Sequence, residues 1–367
     1  MQDLRLTELM FKSLKQDSNL ATAEDWEAAG DYANLIRFFP HAFNCYRNAM
    51  QLDQREDLIN KVDQTLEKLT NVLEYVPANC KEMVDKFRFD NALDPGEWLQ
   101  VINTLLKTST DESNLEAIRF AFGMGIYCAL RSGLDVDPMN QNLIPFLEAK
   151  EEDETQLKLN KVNLEGVKKI IAIGDNVTLG LQNNWEIRPK ETFHQMWKSS
   201  LKDASEIEII NNGISGAGIL DAVLYVGRDV IQYRPDLVII NYGINDTWLG
   251  PNALLGFEVL LEYIIKFLRL NQIKIILVGP IPHVPEACPA AQRPNANIDT
   301  SELQIDAWNK ICKQIALRNK IAFADTCSKF PIVPEQRMKL FANGFNQPNL
   351  EGHKLIKSAI DEVVIDS

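Results

Sequence analysis

The chain of 367 residues contains no run of about 18 apolar residues, so no segment reads as a membrane-spanning helix. Its first residues, Met1-Gln2-Asp3-Leu4-Arg5-Leu6-Thr7-Glu8, lack the apolar stretch of a secretory signal. Positive charge is short: 38 Lys and Arg stand against 51 Asp and Glu, a net charge of −13. Phosphate backbones and anionic lipid surfaces are bound chiefly through Lys and Arg, so neither nucleic acid nor a membrane is an expected partner. Cysteine is sparse. Cys45, Cys80, Cys128, Cys288, Cys312 and Cys327 form no C-x-x-C pair, and none has a histidine at ligand spacing. They read as reduced thiols, which fits a cytoplasmic protein with no metal and no cofactor.

What the chain does have is enough apolar residue, 46%, for a substantial core, and enough length for two domains. Residues 1–147 read as all-helical. Apolar side chains recur at three and four positions, as in Leu58, Val62, Leu66, Leu69 and Val72. An acidic stretch, 148–162, opens with a charge cluster and reads as a linker. From 163 to 367 short β-branched runs alternate with helical ones, the pattern of βαβ units and a parallel sheet. Strands are expected at 168–173, 206–210, 236–241, 273–278 and 321–324. Helices are expected near 186–202, 217–233, 252–270, 301–319 and 350–364. Five such strands predict an α/β flavodoxin-like three-layer sandwich, whose ligands bind at the carboxyl ends of the strands.

Three motifs stand at those ends. The first is Gly174-Asp175-Asn176-Val177-Thr178-Leu179-Gly180, after the first strand. The second is Asn212-Gly213-Ile214-Ser215-Gly216, after the second. The third is Asn241-Tyr242-Gly243-Ile244-Asn245-Asp246, after the third. Each alone is weak, since Gly and Asn are ordinary turn residues. Together, in order and spacing, they resemble blocks I, II and III of the SGNH (GDSL) hydrolases. The stretch from Trp308-Asn309 to Asp325 is similar to that family's penultimate helix and last strand. The resemblance spans about 165–367. It implies that Gly216 and Asn245 are oxyanion donors and that Asn176 stands where the family has its serine nucleophile. Asparagine has no hydroxyl to attack with.

Block V of the family supplies Asp-x-x-His, the imidazole as general base and the carboxylate to hold its tautomer. Here the chain reads Phe341-Ala342-Asn343-Gly344-Phe345-Asn346-Gln347-Pro348-Asn349. Aligned on Phe341 and Gly344, the pair becomes Asn343 and Asn346. Aligned on Pro348, Asn349 and Gly352, it becomes Gly344 and Gln347. Neither register holds a carboxylate or an imidazole. Histidine is scarce, at four. His41 is in the helical half, His353 should point elsewhere, His194 reads as surface or packing, and His283 follows the fourth strand and is a candidate ligand contact. Ser215 and Thr178 lie one or two residues off the nucleophile's position and read as turn or cap groups.

The resemblance therefore implies a pseudoenzyme. Its triad positions Asn176, Asn343 and Asn346 are degenerate, and its pocket (Asp175, Asn176, Gly216, Asn245, Asn343, Asn346, His283) would hold an acyl, carboxylate or sugar group without cleaving it. Two alternatives stay open. One is an active esterase or acetyl-transferring enzyme with a relocated nucleophile. The other is a scaffold that binds a protein partner through its helical half. In favour of the second, Trp26, Ala29, Gly30, Ala42, Tyr46 and Ala49 have the spacing of one tetratricopeptide-like (TPR-like) hairpin near 24–54, without a convincing second copy.

Overall fold

A computed structural model describes residues 22–35, 39–70, 76–84, 100, 103–104, 112–131, 159–182, 186–289 and 305–365. The expected boundary at 147, most of the acidic stretch 148–162, Val72 and the side chains of Leu69 and His41 lie outside the described residues.

The N-terminal segment is helical. Ala23–Leu35 (α1) and Phe39–Leu52 (α2) form the hairpin expected near 24–54, and Glu56–Thr70 (α3) packs on α2. Gly30 is needed in that hairpin, because a Cβ there would lie 2.6 Å from the Tyr46 ring. A longer helix, Glu112–Arg131 (α4), has apolar residues on nearly all sides. Ile118, Phe120, Phe122, Met124, Ile126 and Tyr127 are all buried, as a fully enclosed helix requires.

The β-branched runs then build the sheet. Val162–Asn163 (β1) pairs with the C-terminal Val364–Ile365 (β7) in a small separate ribbon. Lys169–Gly174 (β2), Glu208–Gly213 (β3), Leu237–Asn241 (β4), Lys274–Val278 (β5) and Ala322–Ala324 (β6) form one parallel sheet, ordered β3-β2-β4-β5-β6. Each expected strand is present within two or three residues.

The intervening helices are Asn176–Leu179 (α5), Phe193–Ser200 (α6), Ile219–Asp229 (α7), Leu254–Leu270 (α8), Ile305–Asn319 (α9), Pro334–Met338 (α10) and Leu350–Asp361 (α11). Two differ from expectation for clear reasons. The helix expected at 186–202 begins only at Phe193, because Pro189 has no N–H to donate and opens a separate turn. The helix expected to reach 364 stops at Asp361, because Val364 and Ile365 are taken by β1.

Alternate strand residues face two cores. Ile171, Ile173, Val238, Ile240, Ile275 and Leu277 pack with α7, α8, α9 and also with α4 of the N-terminal segment. Ile170, Ala172, Leu237, Ile239, Ile276 and Val278 pack with α6 and α11. Each fully buried aliphatic side chain contributes about 1.5–3 kcal/mol, against about 1 kcal/mol or less for an exposed ion pair, so these two faces decide the fold. The helical half is thus joined to the α/β half through a shared core. Gly123 of α4 lies against Leu260 of α8, and Gly256 of α8 against Ile126 and Tyr127.

Candidate functional site

The strand order explains why distant motifs meet. The chain leaves β2 for β3 on one side and returns to β4 on the other, so β2 stands at the switch point where open α/β sheets bind ligands. The register pairs Gly174 with Gly213 on one side and with Asn241 on the other. Blocks I, II and III therefore leave the sheet side by side. Gly174 must lack a side chain: a Cβ would lie 2.1 Å from Thr178 Oγ1 and 2.4 Å from the Asn241 carbonyl oxygen.

Asp175 caps α5, its Oδ1 accepting from the Val177 N–H at 2.8 Å. The side chain is 1% exposed. Burial pushes its carboxyl up to about 8; the Val177 N–H opposes the shift and the charge of nearby Asp246 adds to it. Asn176 follows at the turn. Its Oδ1 accepts a hydrogen bond from the Gly216 N–H at 2.5 Å. Gly216 takes φ +74°, a left-handed conformation, and nothing lies within 4 Å of where a Cβ would sit. The second expected oxyanion donor, Asn245, gives an Nδ2 hydrogen to the Ala217 carbonyl at 2.9 Å. Both of these N–H groups already have partners within the protein.

Block V is held by its own amides. Asn343 Oδ1 accepts from the N–H groups of Phe345, Asn346 and Gln347 at 3.2, 3.0 and 3.0 Å. Its Nδ2 donates to Asn346 Oδ1 at 2.8 Å. Asn343 and Asn346, three residues apart, thus meet side chain to side chain within this turn. Gly344, at φ +80°, has no side chain to offer in the other register. Gln182 Nε2 donates to the Pro348 carbonyl at 2.7 Å and ties this loop to the segment after block I.

The described histidine side chains are all buried. His194 Nε2–H donates to the Thr178 carbonyl at 3.0 Å, and burial lowers the imidazole to about 4 against that bond. His353 lies over Phe193, with ring centroids 6.1 Å apart, and its nitrogens make no hydrogen bond. Burial first, then His194, hold it near 3. His283 is 2% exposed, with its ring 6.0 Å from that of Trp248 and both nitrogens without a hydrogen bond. Burial and the Arg337 charge lower it to about 3, opposed by the nearby Ile281 carbonyl. Thr178 is fully buried and Ser215 is 5% exposed. Among the described residues, a hydroxyl beside an imidazole is found at Thr192, 3.4 Å from His194 Nδ1; it is buried and donates to the Pro189 carbonyl.

Comparison with known proteins follows the same stretch of chain. The profile of the GDSL-like Lipase/Acylhydrolase family matches residues 172–355, half of the sequence. The chain belongs to this family. Among curated relatives, the uncharacterized lipoprotein YqeF of Bacillus subtilis (strain 168) is 33% identical over 126 residues, a match covering 32% of this chain. The chain spans about half the length of that relative, 50%. Two solved structures are similar in fold. The lipase/acylhydrolase from Enterococcus faecalis is 20% identical, with a TM-score of 0.44, covering 53% of this chain and 95% of its own. Axe2, an acetylxylan esterase from Geobacillus stearothermophilus, is 21% identical, with a TM-score of 0.41, covering 55% and 94%.

The contacts that reach the GDSL-like region from outside residues 172–355 include two at the motif-bearing loops, and no local pattern marks either of them. Tyr127 of α4 donates its hydroxyl to Asp246 Oδ1 at 2.6 Å, across 119 positions. Leu179 of block I packs in a cluster with Tyr32, Ala33, Ala42 and Tyr46 of the α1–α2 hairpin. No periodicity marks Tyr127 apart from its apolar neighbours, and Leu179 reads as one more apolar residue.

Proposed function

We propose that this GDSL-like protein does not hydrolyse esters and that its site holds a ligand or partner group instead. One observation carries the reading: the side chain at the nucleophile's position, Asn176, is an amide whose oxygen sits on the Gly216 N–H. In a hydrolase that N–H stabilises the oxyanion of the reacting acyl group. Here a neutral carboxamide oxygen takes its place.

The block V pair supports the same reading. Asn343 and Asn346 keep the mutual contact of a carboxylate–imidazole dyad but can neither accept a proton at neutral pH nor hold one for a leaving group. Without a triad, an oxyanion hole and binding alone give about 10³–10⁴ over water, far from enzymatic turnover. The amides also leave donor capacity: no protein partner meets the Nδ2 of Asn176 or Asn346 among the described residues. A carbonyl, a carboxylate or a sugar hydroxyl suits such donors.

The test is thermal. Sodium acetate and acetylated xylo-oligosaccharides, titrated separately, should raise the Tm of the full chain in a saturable way, since a ligand bound only to the folded state stabilises it. No shift with either, together with measurable hydrolysis of the acetylated sugar, would reject the reading.

A second reading, a protein-binding scaffold, draws on the helical hairpin. Its α1–α2 packing has the close Gly30–Tyr46 approach that a TPR-like unit uses. A pull-down with the full chain, comparing it with variants on the exposed face of α2, tests that role.

A further inference from the structure

The helical segment touches the motif-bearing loops at two places, and one of these contacts reaches the group that holds the Gly216 turn. Asp246 follows Asn245 and is 1% exposed. Its Oδ1 accepts from the Ile219 N–H at 2.9 Å as well as from Tyr127 Oη at 2.6 Å. Ile219 opens α7, three residues beyond Gly216. Gly218, between them, is so close that a Cβ there would lie 2.6 Å from Asp246 Oδ1. A single carboxylate oxygen thus joins block III, the turn that carries the Gly216 N–H, and a helix from the other half of the chain. At the opposite end of the site, Leu179 anchors α5, and with it Asn176, to the α1–α2 hairpin.

We propose that Tyr127 is a positioning residue: through Asp246 it sets the turn that aims the Gly216 N–H at Asn176, so the N-terminal helical segment acts as a built-in clamp on the site. The physical case is short. Asp246 is buried, so its side-chain oxygens depend on donors from the protein. The Tyr127 hydroxyl supplies one at 2.6 Å and fixes the orientation of the side chain. Removing it leaves Asp246 Oδ1 with one donor fewer and the side chain free to turn. The turn from Gly216 to Ile219 must follow, because Ile219 N–H is bonded to the same oxygen. The clamp operates whether the site binds or turns over its ligand, so it stands apart from the proposal above.

The measurement is the amide resonance of Gly216 in full-length protein labelled with [¹⁵N]glycine. Asn176→Ala supplies the reference position of a released Gly216 N–H. Tyr127→Phe removes only the hydroxyl and should move the Gly216 peak toward that reference. Ile118→Val, a buried truncation about two and a half turns away on the same helix, should leave it in place. The proposal is overturned if Tyr127→Phe leaves the peak at its native position, or if Ile118→Val moves it equally. Should Tyr127→Phe fail to fold, Asp246→Asn, whose amide oxygen accepts the Tyr127 hydroxyl more weakly than a carboxylate does, should move the peak part of the way, and no movement overturns the proposal.

Discussion

The carboxamide oxygen of Asn176 lies 2.5 Å from the backbone nitrogen of Gly216 and accepts its hydrogen bond. An acyl oxygen seeking that N–H has to displace a group already within reach, covalently attached and paying no entropy of association. A serine hydroxyl at the same position would be one atom shorter and would leave the donor open.

Restoring the serine alone should therefore be futile. Asn176→Ser opens the Gly216 N–H but gives the hydroxyl no base, so its hydrolysis of p-nitrophenyl acetate should stay within about tenfold of the unmodified protein. Adding Asn343→Asp and Asn346→His supplies the missing pair. Because triad members act as a unit, the triple variant should exceed the serine variant by on the order of 10² or more. Equal rates for the two would show that the block V loop is not placed to serve position 176.

Asn343 is the organiser of its loop, and two substitutions separate its roles. Asn343→Ala removes the acceptor for three backbone N–H groups and should cost about 1–3 kcal/mol, read from urea denaturation. Asn343→Asp keeps that acceptor and loses only the donation to Asn346, so it should cost clearly less. Equal losses would mean that the Asn343–Asn346 contact, and not the turn, holds the loop.

Stability should peak close to neutrality. His194, His283 and His353 stay unprotonated when folded down to about 4, 3 and 3, against 6.5 when unfolded. Between those values the unfolded chain binds more protons, so stability falls as pH drops below 6.5. Asp175 runs the other way: protonated up to about 8 when folded but ionised above 3.8 when unfolded, it removes stability as pH rises between those values. Three imidazoles outweigh one carboxyl on the acid side. Tm should climb from about pH 4.5 to about pH 6.5 and decline gently above about pH 7. A Tm flat from about pH 4.5 to 6.5 would contradict the burial of these rings.

Gly174→Ala should be among the most damaging single changes. The added methyl meets Thr178 Oγ1 at 2.1 Å and the Asn241 carbonyl at 2.4 Å, and the second is backbone held in the β2–β4 register. Overpacking a rigid site costs about 1–3 kcal/mol, occasionally more. A Tm unchanged by this substitution would mean that β2 and β4 can separate at their carboxyl ends.

The α/β half was legible in the sequence because its strands carry two signals at once. Runs such as Leu237-Val238-Ile239-Ile240 are β-branched and apolar throughout, as a strand covered on both faces must be, and Pro235 and Gly279 stop them at their ends. The three motifs were legible because each is a glycine turn at a strand's end. The β1–β7 ribbon was not, since two residues carry no period. The state of the site was hidden as well. The family resemblance implies Gly216 and Asn245 as donors, but not the acceptors they meet here, Asn176 Oδ1 and the Ala217 carbonyl, which depend on side-chain direction. The tie from Tyr127 to Asp246 joins parts of the chain that no local pattern relates.

The central claim is that position 176 is an occupant of the oxyanion site and no longer a nucleophile. Treating the full-length protein with a fluorophosphonate probe, followed by intact mass and p-nitrophenyl acetate turnover, tests it most directly. The account predicts no added mass and a rate indistinguishable from buffer. A stoichiometric adduct on any serine or threonine, with turnover that the probe abolishes, would contradict it.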